Sequence, residues 1–135
     1  MTSGYSGTPL ARKLSHKDGM RVWRDGMPDG VSNEIAAERL QFELLKAPAP
    51  PIDAAHVFVT ERSDLDAKLH RLMPLLAPTG FIWVSWPKRA SKVDSDITED
   101  VIRDVCLPMH LVDVKVCSVD DIWSGLKLVI RKEHR

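Results

Sequence analysis

Two short stretches limit what this chain can become. Residues Ala54 to Thr60 (AAHVFVT) and Phe81 to Trp86 (FIWVSW) are near-continuous apolar runs. They read as strands covered on both faces, the condition of strands inside a parallel sheet. Between them lies a helix signature. Ser63 stands as its cap with Asp66 in the capping-box place, and Leu65, Leu69, Leu72, Met73 and Leu76 form its buried stripe. Pro74 lies inside that stripe and should kink the last turn, because its missing N–H breaks a bond to His70. Pro78-Thr79-Gly80 ends the helix.

The flanking segments extend the pattern. Thr8 can cap a first helix, Pro9 suits its first position, and Leu10 and Leu14 share one face. Gly19 stops that helix, Met20 to Trp23 reads as a short strand, and Asp25 to Gly30 has the composition of a turn. Residues 31–46 admit a helix through Leu45, but Leu40, Phe42 and Leu44 alternate with Gln41 and Glu43. We expect a helix over 31–39 and a strand over 40–46. The Pro-rich segment Ala47 to Pro51 then returns the chain without a helix. About eight extended residues reach roughly 25 Å, longer than a six-residue strand. Asp96 and Glu99 mark another capping box, with Ile97, Val101 and Val105 at helical spacing. Leu111–Cys117 and Leu126–Lys132 alternate apolar and polar around the turn-like Ser118 to Gly125, which is a hairpin. The expected fold class is α/β: a mostly parallel sheet with helices on both faces, closed by a C-terminal antiparallel hairpin.

The chain's 135 residues fit one domain, 1–135. Its 19 basic residues match its 19 acidic ones, so no broad basic field is available, and neither nucleic acid nor membrane is expected as a partner. No apolar run is long enough to span a bilayer, and residues 1–20 carry no signal-peptide core, so a cytoplasmic location is expected. Cys106 and Cys117 are the two cysteines, too few for a disulfide framework and without metal spacing. His16, His56, His70, His110 and His134 offer no metal-ligand pattern either, and no metal is expected. No Ser/His/Asp or Cys/His arrangement follows from spacing.

Two resemblances add to this. The stretches Asp53-Ala54-Ala55-His56-Val57-Phe58-Val59 and Leu76-Ala77-Pro78-Thr79-Gly80-Phe81-Ile82-Trp83-Val84-Ser85, followed by the terminal hairpin, resemble the distal half of a class I S-adenosylmethionine-dependent methyltransferase. That likeness implies a Rossmann-like sheet whose last strand lies antiparallel inside it. Gly4-Tyr5-Ser6-Gly7-Thr8-Pro9-Leu10, Trp83-Val84-Ser85-Trp86-Pro87-Lys88 and Trp123-Ser124-Gly125-Leu126-Lys127 are similar to motifs of a family of small bacterial proteins whose domain has no assigned function. It brings no catalytic residues to transfer.

In a doubly wound sheet, ligands lie beyond the carboxyl ends of the strands. That edge receives Asp25 and Gly26, Thr60 and Glu61, the run Trp86 to Lys92, and Asp120, Asp121, Trp123 and Ser124. The first helix runs against the strands, so Tyr5, Ser6, Gly7 and Thr8 point there too. Lys88, Arg89, Ser91 and Lys92 together with that helix start could hold a phosphate or carboxylate. The alternative is a solvated loop balancing Asp94, Asp96, Glu99 and Asp100. Trp86 and Trp123 could wall a ring or sugar, or simply cover the end of the sheet. Asp120 and Asp121 could be an acid–base pair or turn residues. S-adenosylmethionine is not expected as a cofactor. The turn Asp25 to Gly30 lacks Gly-x-Gly, Pro28 removes a donor, and Lys46 and Ala47 stand where an acid should meet the ribose. The expectation is therefore a non-enzymatic domain binding a small anion or a partner protein at the carboxyl rim, without a cofactor. The alternative is a divergent methyltransferase-like enzyme with Asp120 or Asp121 as base. Exposed aromatics could also serve a homo-oligomer contact.

Overall fold

The two apolar runs lie side by side at the centre of a six-stranded sheet of order β2-β1-β3-β4-β6-β5 in a computed structural model that describes residues 7–135. The strands are β1 (Arg21–Asp25), β2 (Glu43–Leu44), β3 (Ile52–Phe58), β4 (Leu76–Pro87), β5 (Leu111–Ser118) and β6 (Trp123–Ile130). Strands β2, β1, β3 and β4 pair in parallel, while β6 pairs antiparallel with both β4 and β5. The α/β class, the parallel core and the antiparallel closing hairpin are as the sequence implies.

Four helices cover the two faces: α1 (Leu10–Lys13), α2 (Asp29–Ala36), α3 (Arg62–Leu72) and α4 (Glu99–Cys106). Leu10, Leu14, Val31 and Ile35 pack with Val22, Phe58, Phe81 and Trp83 on one face. Leu65, Leu69, Leu72, Ile102 and Val105 pack with Val57, Ile82, Val84 and Leu126 on the other. Alternation along β3 and β4 sends successive side chains to opposite faces, which is why both runs are apolar at nearly every position.

Several boundaries differ from expectation. Helix α2 starts at Asp29, inside the expected turn, because Pro28 at extended φ and ψ of −63° and 148° serves as its N-cap. Strand β2 is two residues, not seven, since β1 is its only partner and pairs just Glu43 and Leu44. Helix α3 is entered from Glu61 rather than Ser63. Pro74 converts its last turn to a 3-10 turn over Met73–Leu75, and Pro78 to Gly80 already belong to β4. Thr98, not Asp96, caps α4 by accepting from the Val101 N–H at 3.2 Å, while Asp96 accepts from the Arg62 N–H at 2.7 Å. Thr8 caps nothing: Pro9 is the N-cap of an α1 only four residues long.

The register of β3 against β4 shifts between Ile52 and Ala54. Gly80 makes this shift possible. A Cβ there would lie 2.6 Å from the Ile52 carbonyl oxygen and 3.0 Å from that of Ala77. Backbone carbonyls cannot swing aside as a flexible side chain can. Gly80→Ala is therefore expected to destabilise by about 2 kcal/mol and lower Tm by roughly 5–10 °C. A thermal melt unchanged within about 2 °C would remove this constraint. At the far edge, β5 carries a second irregularity between Asp113 and Lys115, where Val114 is the extra residue.

Candidate functional site

The chain leaves β1 for β2 and then returns to β3 on the other side of β1. The order therefore reverses between β1 and β3, and a ligand crevice belongs at their carboxyl ends. Gly26 follows β1 there with φ of +75°, the left-handed region glycine occupies without strain. A Cβ on it would lie 3.4 Å from the Phe58 carbonyl oxygen at the end of β3. The turn thus packs directly on the neighbouring strand and delivers the chain to the start of α2.

Beside that turn lies a cavity of about 330 Å³ lined by Arg24, Gly26, Met27, Asp29, Ser32, Leu44 and Leu45. Arg24 dominates its chemistry. It is half-buried, donates from Nη1 to Ser32 Oγ at 3.2 Å, and lies 5.4 Å from the centroid of the Phe42 ring. Its buried Nε has no hydrogen-bond partner, and no salt bridge among the described residues includes it. Burial pulls the pKa of its guanidinium below the ordinary value. A cation without a counter-charge, with a donor left over, is suited to an anionic group from outside the chain.

Behind Arg24 the same sheet face holds a buried polar chain. His56 and Ser85 are fully buried, with His56 Nε2 and Ser85 Oγ 2.6 Å apart. Phe58 stacks on the imidazole at 4.4 Å between centroids. Burial drives the His56 pKa well below its ordinary value, and any charge on His16, with that of Arg24, pushes the same way. His16 is lowered by burial too, against a bond to the Leu14 carbonyl that raises it, with Arg24 lowering it further. Both histidines are thus held neutral.

The expected rim residues are not one site. Trp86 stands opposite Ser124 and Pro87 opposite Trp123 in the β4–β6 register, so the two tryptophans fall on opposite faces. Trp86 joins the core under α3 and α4, whereas Trp123 packs edge-on against Phe58 at 5.1 Å. Lys88 Nζ donates to Ser118 Oγ at 2.7 Å. Ser91 Oγ donates to the Lys88 carbonyl at 2.6 Å, which closes its own turn. Arg89 lines a separate cavity of about 270 Å³ with Trp86, Val93, Ser95, Thr98 and Glu99 on the α4 side, and Lys92 is exposed. Asp120 accepts from the N–H groups of Ile122 and Trp123, at 2.9 and 2.7 Å, and is a turn residue. Gly7 and Thr8 precede a single-turn helix whose Ala11 N–H already donates to the Glu38 carboxylate, so the chain itself supplies an anion there. Tyr5 and Ser6 lie outside the described residues. Asp25, at the end of β1, is held by Lys68 Nζ at 3.2 Å, which also meets Asp64 at 3.1 Å. No cluster of metal-ligating side chains occurs among the described residues, and no helix there is long and apolar enough to cross a membrane.

Sequence reasoning passed over Arg24, Ser32 and the His56–Ser85 pair as site residues. The one available signal was Arg24 itself, a cation two residues after Val22 and so on the same inward face of β1.

No family model and no curated protein matches the chain. Its likeness is to solved structures. A SAM dependent methyltransferase from Aquifex aeolicus superposes with a TM-score of 0.60 at 16% identity, covering 90% of this chain and 88% of that one. A putative type 11 methyltransferase from Sulfolobus solfataricus gives 0.58 at 12% identity, covering 90% and 89%. A putative methyltransferase of Haloferax volcanii, in complex with the Trm112 methyltransferase activator, gives 0.60 at 11% identity, covering 90% and 86%. The chain has the Rossmann-like methyltransferase fold. Two expectations are corrected by these neighbours, that of a non-enzymatic binding domain and that of no cofactor. The fold is one that S-adenosylmethionine-dependent enzymes use, and the degraded glycine turn does not exclude the chain from it.

Proposed function

We propose that this chain, acting as one domain over residues 1–135, is a divergent methyltransferase-like enzyme that takes S-adenosylmethionine in the cavity at the carboxyl ends of β1 and β2. One observation carries this: Arg24, a half-buried cation in no salt bridge among the described residues, lines a cavity bounded by the left-handed Gly26 turn and the start of α2. The residues present fit the group. Arg24 would hold the carboxylate through a charge-assisted bond from its guanidinium. Gly26 has no side chain to keep a ligand from the backbone, and Met27, Leu44 and Leu45 offer apolar walls for a purine. Asp29 and Ser32 supply acceptors for hydroxyl groups, in place of an acid at the end of β2. Bound there, the cofactor supplies an electrophilic methyl group on a sulfonium centre. Asp120 Oδ1 accepts from two backbone amides and so orders the turn between β5 and β6.

Calorimetric titration with S-adenosylmethionine is expected to give saturable one-to-one binding, and Arg24→Ala to weaken it about tenfold to hundredfold, the worth of one hydrogen bond to a charged group. A hundredfold excess over Kd should also raise the stability by about 2.7 kcal/mol in a thermal-shift assay. Absence of heat and of a thermal shift at millimolar cofactor would overturn the proposal.

A further inference from the structure

The charges of this chain cancel in total, but they do not mix evenly over its surface. On the α1 side of the sheet, Lys115 of β5 stands directly opposite Lys127 of β6. Like charges in register across a strand pair lower stability. Lys13 of α1, Lys17 just after it and Lys88 at the end of β4 bring three more ammonium groups to this region. Lys13 Nζ donates to the Ser118 carbonyl at 2.9 Å and Lys88 Nζ to Ser118 Oγ at 2.7 Å. Lys127 Nζ donates to Ser15 Oγ at 3.0 Å and lies 4.5 Å from the centroid of the Phe81 ring. Lys115 Nζ donates to the Lys13 carbonyl at 3.4 Å.

Carbonyl and hydroxyl oxygens orient four of these groups, those of Lys13, Lys88, Lys115 and Lys127. None of the five is in a salt bridge among the described residues. Carboxylates on adjoining segments bond to backbone amides, Asp18 to Gln41, Glu38 to Ala11, and Asp120 to Ile122 and Trp123; they keep their charge but pair with none of the five lysines. The lysines feel one another. Burial first, then the charges of Lys115 and Lys17, lower the Lys127 pKa. Lys13, Lys115 and Lys88 all act on the Cys117 thiol, whose pKa burial nevertheless raises.

We propose that this face, built from Lys13, Lys17, Lys88, Lys115 and Lys127, docks the phosphodiester backbone of a nucleic acid. Lysine presents a point charge suited to phosphate. It is depleted from protein interfaces, whose energy comes from aromatic and arginine anchors in a dry centre, and no such anchor stands among these five. A membrane surface would ask for apolar side chains between the charges. The exposed Val116 alternates with Lys115 and points to the opposite face of the sheet, with its partner Leu126. A balanced total charge does not bear on this, because affinity for phosphate follows local charge. The docking face is independent of the cofactor cavity.

The test is fluorescence anisotropy with a labelled 20-nucleotide single-stranded RNA between 50 and 200 mM salt. Five phosphate contacts give a slope of log K against log salt of about −3.5, and the triple variant Lys13→Ala/Lys17→Ala/Lys115→Ala should bring it to about −1.4. The same variant should weaken binding at 50 mM salt by about a hundredfold while the S-adenosylmethionine titration stays unchanged. Lys17→Gln and Lys115→Gln, two exposed single changes, reduce the slope by about 0.7 each should the triple variant fail to fold. Absence of RNA binding at 50 mM salt, or a slope the variants do not alter, overturns the proposal. Capture by poly-glutamate or by phosphatidylserine-containing vesicles without RNA binding overturns it as well.

Discussion

Trp83→Ala is expected to lower Tm by about 10–20 °C. The indole lies in the middle of β4, fully buried, between His56, Phe81 and the chain leaving α1. Its Nε1 donates to the Leu14 carbonyl at 2.8 Å, across 69 residues of sequence. Removing it empties the largest fully buried side-chain volume among the described residues and leaves that carbonyl with His16 Nδ1 alone, at 3.1 Å. Losses of this kind run to about 3–5 kcal/mol. Trp83→Phe separates the two contributions, because it keeps most of the apolar volume and loses only the bond, at about 1–2 kcal/mol. Melts followed by circular dichroism read both. A fall below about 5 °C for the alanine variant would mean that α1 is not anchored through this residue.

Acidification is the second large effect. His56 and His16 titrate near pH 6.5 in an unfolded chain but are held neutral when folded. Below pH 6.5 the unfolded state therefore binds more protons, and stability falls as the pH falls. The contribution is complete above that pH and is lost downward, at about 1.4 kcal/mol per pH unit for a fully uncoupled proton. His56, buried and beside Arg24, should remove about 2 kcal/mol by pH 5, with His16 adding a smaller part. Chemical denaturation at pH 7, 6 and 5 measures the slope. His56→Gln can keep the bond to Ser85 without titrating, so it should flatten the acid limb. An unchanged slope in that variant would assign the acid sensitivity elsewhere.

How much of this was legible in the sequence varies with the kind of constraint. The runs around Val57 and Val84 announced doubly covered strands, since nothing but a sheet interior tolerates apolar side chains on both faces. Leu65, Leu69 and Leu72 marked α3 through their spacing, and the hairpin was plain from its alternation. Boundaries failed where a residue had two uses. Pro28 reads as a turn residue, yet it also suits the entrance of a helix, and only packing of Val31 and Ile35 decided between them. Phe42 alternates like a strand residue but lies beyond the two positions that β1 can pair.

The site was less legible because its members come from separate elements. Sequence places Trp86 and Trp123 at one edge, but their faces follow from a register that pairs Trp86 with Ser124. Arg24 is one cation in a strand, and its missing counter-charge becomes visible only when its neighbours in space are known. The five lysines, drawn from α1, the segment after it, the residue after β4, β5 and β6, are scattered along the chain and meet only through the fold.

The two borders of the sheet bear on how the protein behaves when concentrated. An open row of backbone donors and acceptors is a template on which another chain can add itself. One border here is β2, only two residues long, followed by a proline-rich return. The other is β5, where the extra residue Val114 breaks the ladder and Lys115 stands beside the break. Neither offers a long flat strand to copy, and a chain with exposed Val114 and Val116 is thereby guarded against growing into fibres.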